Sequence, residues 1–286
     1  MSLRKIKRSA NVALCDYTTI GIGGKAKDFF IANSLDDLRG LIADFGKSLC
    51  LLGKGSNLLV KDEPLRSPVV KLGREFNYIK EDKEAFYSVG AGTPFSHLVR
   101  YCLDHNLGGL ETLVGIPATL GGMIFLNAAS FGGEISSPIC EVEVILLDGS
   151  IKIFQKNQID FFYRQSSLKD CIILDAKIKL IKDNLSKQKI SSFLRSRIKF
   201  QDLYNPSCGC IFKNPDKFSA GFLIDSCNFK GKNKGQANVS KRHANFIINS
   251  GRAKYADVDY LINKIKDQVY KKYSIILEEE IKRWID

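Results

Sequence analysis

Apolar and polar positions change their period several times along the 286 residues, and each change predicts an element. The run Phe29-Phe30-Ile31-Ala32 predicts a strand. Asn33-Ser34, with Asp36 and Asp37 behind it, predicts a helix start, because short polar side chains accept from the N–H groups that a first turn leaves open. Leu49-Cys50-Leu51-Leu52 reads as the next strand, ending at Gly53, so residues 29–70 form a small α/β unit. Phe86-Tyr87-Ser88-Val89 alternates like a strand, whereas residues 94–103 carry helical spacing. Strands are expected over 142–147, closed by the turn Asp148-Gly149, and over 171–181. Residues 182–201 are rich in lysine, serine and asparagine, which suits a boundary or a surface helix over 191–200 equally. A last helix is predicted from about Asp257, with Val258, Leu261, Ile262, Ile265, Val269 and Tyr273 on one face as core packing.

This length exceeds what one core usually supports, so several lobes are expected, over 1–73, 74–182 and 183–286. No apolar stretch approaches the roughly 18 residues needed to span a bilayer, which predicts a soluble chain with no membrane partner. The basic start Met-Ser-Leu-Arg-Lys lacks the apolar centre of a secretory signal. Eight irregularly spaced cysteines without a Cys-x-x-Cys pair then suggest reduced thiols in the cytoplasm, most of them buried as small hydrophobes. The net charge of +12 comes from lysines spread along the chain, without the aromatic interleaving of a nucleic-acid surface. A phosphorylated small molecule would also be drawn by such a field.

The most informative stretch is Pro206-Ser207-Cys208-Gly209-Cys210-Ile211-Phe212-Lys213-Asn214-Pro215, a thiol in a glycine turn beside a lysine and an amide. Alone it also suits a metal clip, a strained disulfide or two small packed residues. Gly53-Lys54-Gly55-Ser56-Asn57-Leu58 follows a strand and could turn backbone N–H groups toward a pyrophosphate, although a plain tight turn fits as well. Residues 108–133 hold seven glycines among apolar neighbours, which suits a backbone lying against a flat, extended ligand. Arg164, after Phe162-Tyr163 and just before a buried-looking strand, could clasp a carboxylate, or could be plain surface. His243 and Asn245 stand at another strand start, and Leu277-Glu278-Glu279-Glu280-Ile281 by itself reads as solvated surface.

In this order the pieces closely resemble the UDP-N-acetylenolpyruvoylglucosamine reductase family, in its shorter variant without a tyrosine-bearing loop. The matching motifs are Thr18-Thr19-Ile20-Gly21-Ile22-Gly23-Gly24 and the runs 53–57, 115–122, 163–164, 209–215, 243–249 and 277–281. The resemblance implies an α+β chain, with a two-part FAD-binding domain of the vanillyl-alcohol-oxidase type followed by an α+β substrate-binding domain. It also implies a cytoplasmic monomer that uses FAD, and NADPH as co-substrate, to reduce UDP-N-acetylglucosamine enolpyruvate to UDP-N-acetylmuramate for peptidoglycan. Carried over residue by residue, it makes Arg164, Cys210 and Glu280 catalytic: Arg164 neutralises the enolate carboxylate, Glu280 bonds to it in protonated form or orients the pocket, and Cys210 protonates C2. Cofactor contacts fall on Gly53, Lys54, Gly55, Ser56, Asn57, Leu58, Gly115, Ile116, Pro117, Ala118, Thr119, Gly121, Gly122 and Asn127. Substrate contacts fall on Lys213, Asn214, His243 and Asn245, and no metal is implied.

Many members carry serine at the position of Cys210. A thiol, with an ordinary pKa near ~8.5, gives up a proton more readily than an alcohol, but is open to oxidation or to pairing with Cys208. Ala118 and Met123 stand where the family has smaller residues, and Ala118 would be strained if the backbone there needed a positive φ. The alternatives are another FAD-dependent oxidoreductase of this fold, an inactive flavin-binding relative, and a cofactor-free basic RNA-binding protein.

Overall fold

The computed structural model describes residues 6–285; residues 1–5, where the basic N-terminal run begins, and residue 286 lie outside that range. The chain divides into a first unit of Met1–Ser9, Asp28–Lys54 and Ser67–Arg197, and a second of Ala10–Lys27, Gly55–Arg66 and Ile198–Asp286.

In the first unit, α1 (Leu35–Phe45) starts where its polar residues predict. The Ser34 hydroxyl accepts from the Asp37 N–H, and the Asp37 carboxylate accepts from the Ser34 N–H. Parallel strands flank the helix in sequence: Val69–Leu72 pairs with residues 29–32 on one side and with Cys50–Leu51 on the other. A five-stranded antiparallel sheet follows, ordered Ile151–Gln155, Ile139–Leu146, Cys171–Lys179, Phe86–Gly90, Ile79–Lys83. Its central strand is apolar on both faces because both are covered. Ile173 packs with Phe95 and Leu98 of α2 (Phe95–Asp104) and with Leu120 and Met123 of α3 (Leu120–Phe125), while Ile172 and Leu174 pack with Phe30, Leu38 and Leu41.

The helix expected over 191–200 is longer, and it is not purely a surface element. It is α4 (Ser186–Phe200), which buries Ile190 and Arg197. Ile190 joins the core of the first unit, with Phe193 and Leu194 packed against that core. Lysine and serine at the remaining positions hide this narrow apolar contact in the sequence.

The second unit has an antiparallel sheet ordered Ser207–Cys210, Phe246–Asn249, Ala237–Val239, Asn233–Lys234, and the strand Lys282–Trp284 runs parallel to Leu58–Val60. The unit also holds α5 (Ala220–Ser226) and α6 (Tyr255–Tyr273). The predicted stripe of α6 is buried from Val258 to Val269, with Tyr273 packed at its edge.

The acidic run is not solvated surface throughout, because Leu277 and Ile281 are only 2% and 5% exposed and Glu279 bridges to Phe212. The cysteines also differ from expectation: all eight are free thiols, but only Cys102 and Cys208 are fully buried. Among the described residues no helix is long and apolar enough to cross a membrane.

Candidate active site

Gly209 adopts φ +77 in a strand whose pairing jumps from Ser207↔Ile248 to Cys210↔Phe246. Three steps on one strand oppose two on the other, so the chain bulges where only glycine adopts the backbone angle without strain. Cys208 is buried in the core, and burial pushes its thiol up to about 12, which keeps it protonated and inert. Cys210 is the more exposed thiol of the pair.

Backbone hydrogen bonds lay the acidic run beside this bulge. The Glu280 N–H donates to the Ile211 carbonyl at 2.8 Å, and the Lys213 N–H donates to the Glu278 carbonyl at 2.9 Å. Asn57 Nδ2 donates to the Glu280 carbonyl at 3.1 Å, and the Asn57 carbonyl accepts from the Lys282 N–H at 2.9 Å. Gly55 permits that turn, since at φ +64 any Cβ would lie 2.2 Å from the Tyr17 carbonyl oxygen. A Cβ on Gly209 would lie 3.9 Å from the Ser56 carbonyl oxygen. Ser56, Asn57, Cys210 and Glu280 are thus neighbours in the second unit, while Leu58 is core.

The adjacent acids are engaged elsewhere. Glu278 pairs with Lys213 at 3.1 Å, and Glu279 accepts from both Lys266 and Arg283. Burial alone would push the Glu279 carboxyl up, but the hydrogen bonds from Arg283 and Lys266 outweigh it and hold the group below its ordinary value.

Of the expected substrate contacts, Asn245 uses both ends of its amide on the Phe212 backbone, and Asn214 Oδ1 accepts from the Ala220 N–H at the start of α5. His243 lies edge-on to Phe246 at 4.7 Å with its buried Nδ1 unbonded. Burial, then the charge of Lys230, lowers its pKa, so the ring is neutral near pH 7.

In the first unit the two glycine runs meet. A Cβ on Gly53 would lie 3.1 Å from Thr119 Oγ1, and that hydroxyl accepts from the Gly122 N–H. The Gly121 N–H donates to the Ala91 carbonyl at 2.9 Å, and the Phe95 N–H donates to the Ala118 carbonyl at 2.8 Å, which pins residues 118–121 against 91–95. Ile116 and Pro117 lead into this segment, and the Ala118 N–H donates to the Ile116 carbonyl. Ala118 is absent from the left-handed residues, so the anticipated strain does not arise, and Met123 is simply core.

Asn127 is 1% exposed, with Nδ2 donating to Glu134 and to the Phe162 carbonyl, while its buried Oδ1 has no partner. The strand after Arg164 is only the two residues Gln165–Ser166. Arg164 itself takes φ +59 in the turn of a short hairpin, and its Nη1 donates to the Ala129 carbonyl at 2.9 Å. The glycines at 53, 121 and 122 let these backbone segments approach closely, and Asn127 keeps a buried oxygen without a hydrogen-bond partner.

Two residues escaped the sequence reading. Arg197 is 6% exposed, donates from Nε to the Val114 carbonyl and from Nη2 to Ser130 Oγ, and lies 3.0 Å by its Cδ from where a Gly115 Cβ would sit. Lys71 Nζ donates to the Gly53 carbonyl at 2.7 Å; burial, then the charge of Lys54, lowers its pKa. Both are basic residues in a basic chain, and nothing local distinguishes them from surface.

A family model described as "UDP-N-acetylenolpyruvoylglucosamine reductase, C-terminal domain" matches residues 201–284, and one described as "FAD binding domain" matches residues 29–155. The UDP-N-acetylenolpyruvoylglucosamine reductase of Thermotoga sp. is 39% identical over 276 residues, covering 94% of this chain and 90% of that protein. The one from Halalkalibacterium halodurans is 36% identical over 278 residues, covering 95% and 92%. Among solved structures, the UDP-N-acetylenolpyruvylglucosamine reductase from Thermus caldophilus aligns with a TM-score of 0.85 at 33% identity, over 98% of this chain and 99% of that one.

Proposed function

Because the chain belongs to the UDP-N-acetylenolpyruvoylglucosamine reductase family, we propose that it reduces UDP-N-acetylglucosamine enolpyruvate to UDP-N-acetylmuramate with FAD and NADPH, in the cytoplasm and as a monomer. The observation that supports this reading is the Gly209 bulge together with the hydrogen bond from the Glu280 N–H to the carbonyl of Ile211, the residue after Cys210. FAD is held by Gly53, Lys54, Gly55, Ser56, Asn57 and Leu58, by residues 115–119, by Gly121 and Gly122, and by Asn127, whose unbonded Oδ1 accepts from a ligand N–H or O–H. When bound, the flavin would supply the redox chemistry of hydride transfer.

The protein's own part is to manage charge and a proton. Arg164 pairs with the substrate carboxylate and offsets the negative charge that grows on it. Glu280 in its acid form donates a hydrogen bond to the same group, whereas its carboxylate would repel it. Cys210 gives its Sγ proton to C2, and solvent reprotonates the thiolate. Lys213, Asn214 and His243 contact the nucleotide diphosphate, and Asn245 acts by holding Phe212.

An anaerobic absorbance trace tests the whole reading. NADPH should bleach the flavin band, and the UDP-sugar should restore it. Bleaching without recovery would transfer the enzyme to another acceptor. A protein with no flavin band, even after FAD is supplied, would remove the reading altogether.

A further inference from the structure

Three glutamates in a row, Glu278-Glu279-Glu280, are chemically interchangeable, yet only the last has a place in the proposed reaction. A slip of one residue would turn every side chain of an extended segment to its opposite face and present the wrong carboxyl. The contacts of this run show what opposes that slip. Glu279 bridges to Phe212 in an antiparallel pair, with the Lys213 N–H bonded to the Glu278 carbonyl and the Glu280 N–H bonded to the Ile211 carbonyl, so residues 278–280 run extended. Successive side chains then alternate. Leu277, Glu279 and Ile281 fall on the face that packs toward α6, and Glu278, paired with Lys213 at 3.1 Å, falls with Glu280 on the other.

The Glu279 carboxylate is gripped from two sides. Its Oε1 accepts from Lys266 Nζ of α6 and from Arg283 Nη2 at 3.1 Å, while its Oε2 accepts from Arg283 Nε at 2.6 Å. The two-pronged contact with the guanidinium fixes the plane of the carboxylate as well as its position. Arg283 is anchored to α6 in turn, its Nη1 donating to the Tyr255 hydroxyl at 2.8 Å and to Asp259 Oδ1. The side chains of Glu279 and Arg283 are only 18% and 20% exposed. Charges at that depth lose hydration that apolar residues would not lose, so such a network suits the specifying of a register better than the adding of stability. Its charges also balance, Glu279 and Asp259 against Lys266 and Arg283, which leaves little net field on the next residue.

We propose that Glu279 and Arg283 are positioning residues, which lock the register of residues 278–280 and thereby aim the Glu280 carboxyl away from α6 and toward the substrate. The assignment rests on the reductase reading, in which Glu280 bonds to the substrate carboxylate, and adds the residues that present it.

Holoenzyme carrying Glu279→Gln, Arg283→Met, Glu280→Gln, Glu279→Gln with Glu280→Gln, or Ile262→Ala is reduced anaerobically with NADPH and mixed with UDP-N-acetylglucosamine enolpyruvate. Recovery of the flavin band is followed in a single turnover, where rates far below wild type can still be read. Glu279→Gln and Arg283→Met should each slow recovery about tenfold, within the roughly hundredfold that a misplacement of about 1 Å can cost. Bleaching by NADPH should not move. The two substitutions change the local charge in opposite directions, so a field effect on Glu280 would shift the rate in opposite directions, whereas lost positioning slows it in both. In the Glu280→Gln background, Glu279→Gln should add nothing, because a residue that acts through another is silent once the other is gone. Ile262→Ala, which loosens α6 outside the network, should lower the melting temperature and leave recovery at the wild-type rate.

Wild-type recovery in both Glu279→Gln and Arg283→Met, opposite shifts in the two, or an equal slowing of the Glu280→Gln background would overturn the positioning role. Slow recovery in Ile262→Ala would overturn it too, by making loss of stability the cause. Wild-type protein that regains no flavin band with the UDP-sugar would remove the reductase reading and this assignment with it. Wild-type recovery with indifferent variants would remove only the assignment.

Discussion

At the scale of the residue, the proposed chemistry turns on one sulfur. Replacing Cys210 by serine should preserve both half-reactions, since a hydroxyl can occupy the same bulge and donate a proton. Cys210→Ala should still accept reducing equivalents from NADPH but fail to regain the flavin band when the UDP-sugar is added; normal turnover would show that the proton comes from elsewhere. Arg197 poses a different question, because it acts through backbone groups. Arg197→Met leaves the buried Val114 carbonyl and Ser130 hydroxyl without that donor, a loss of about 1–3 kcal/mol in stability. It should also weaken FAD binding, read by release of flavin fluorescence on dilution, and retention of wild-type FAD affinity would separate Arg197 from the cofactor cradle. Cys210 was visible in the sequence because its neighbours form a recognisable run. Arg197 was not, since burial of a basic residue leaves no local mark.

At the scale of the element, α6 and the strand Lys282–Trp284 are tied together by Lys266, Glu279, Arg283 and Asp259. Glu279 titrates below its ordinary value of 4.5 in the folded state, so its contribution is present above that pH and is lost as pH falls through the lower, folded value. Glu279→Gln should therefore cost about 1–3 kcal/mol in urea unfolding at neutral pH, and the difference from wild type should vanish in acid. A gap that stayed constant with pH would mean that packing, and not the ion pair, is what the carboxylate supplies. The hydrophobic stripe of α6 makes a simpler prediction: Ile262→Ala, at a fully buried position, should lower stability by about 2–5 kcal/mol in the same measurement. Sequence foresaw that stripe because helical period and burial coincide from Val258 to Val269. It misjudged residues 277–281, where three glutamates hide two apolar anchors.

At the scale of the whole molecule, a net charge of +12 should draw in anionic co-substrates. Values of kcat/KM for NADPH and for the UDP-sugar should fall as salt rises from about 0.01 M to about 0.15 M, over which the screening length drops from about 30 Å to about 8 Å. Salt-independent kinetics would confine the useful charge to direct contacts. The sequence by itself determined the start of α1, the helical spacing of α2, the buried stripe of α6 and the motifs that reveal the family, because caps, side-chain periodicity and ordered short runs are properties of neighbouring residues. Only the tertiary structure decided which of those runs are neighbours. Asn57 reaches Glu280 across 223 residues, Glu280 is set beside Cys210 by a bond to Ile211, and Arg197 braces a turn more than 80 positions earlier. Such contacts follow from how separate elements bury their apolar faces together, and no local pattern encodes that geometry.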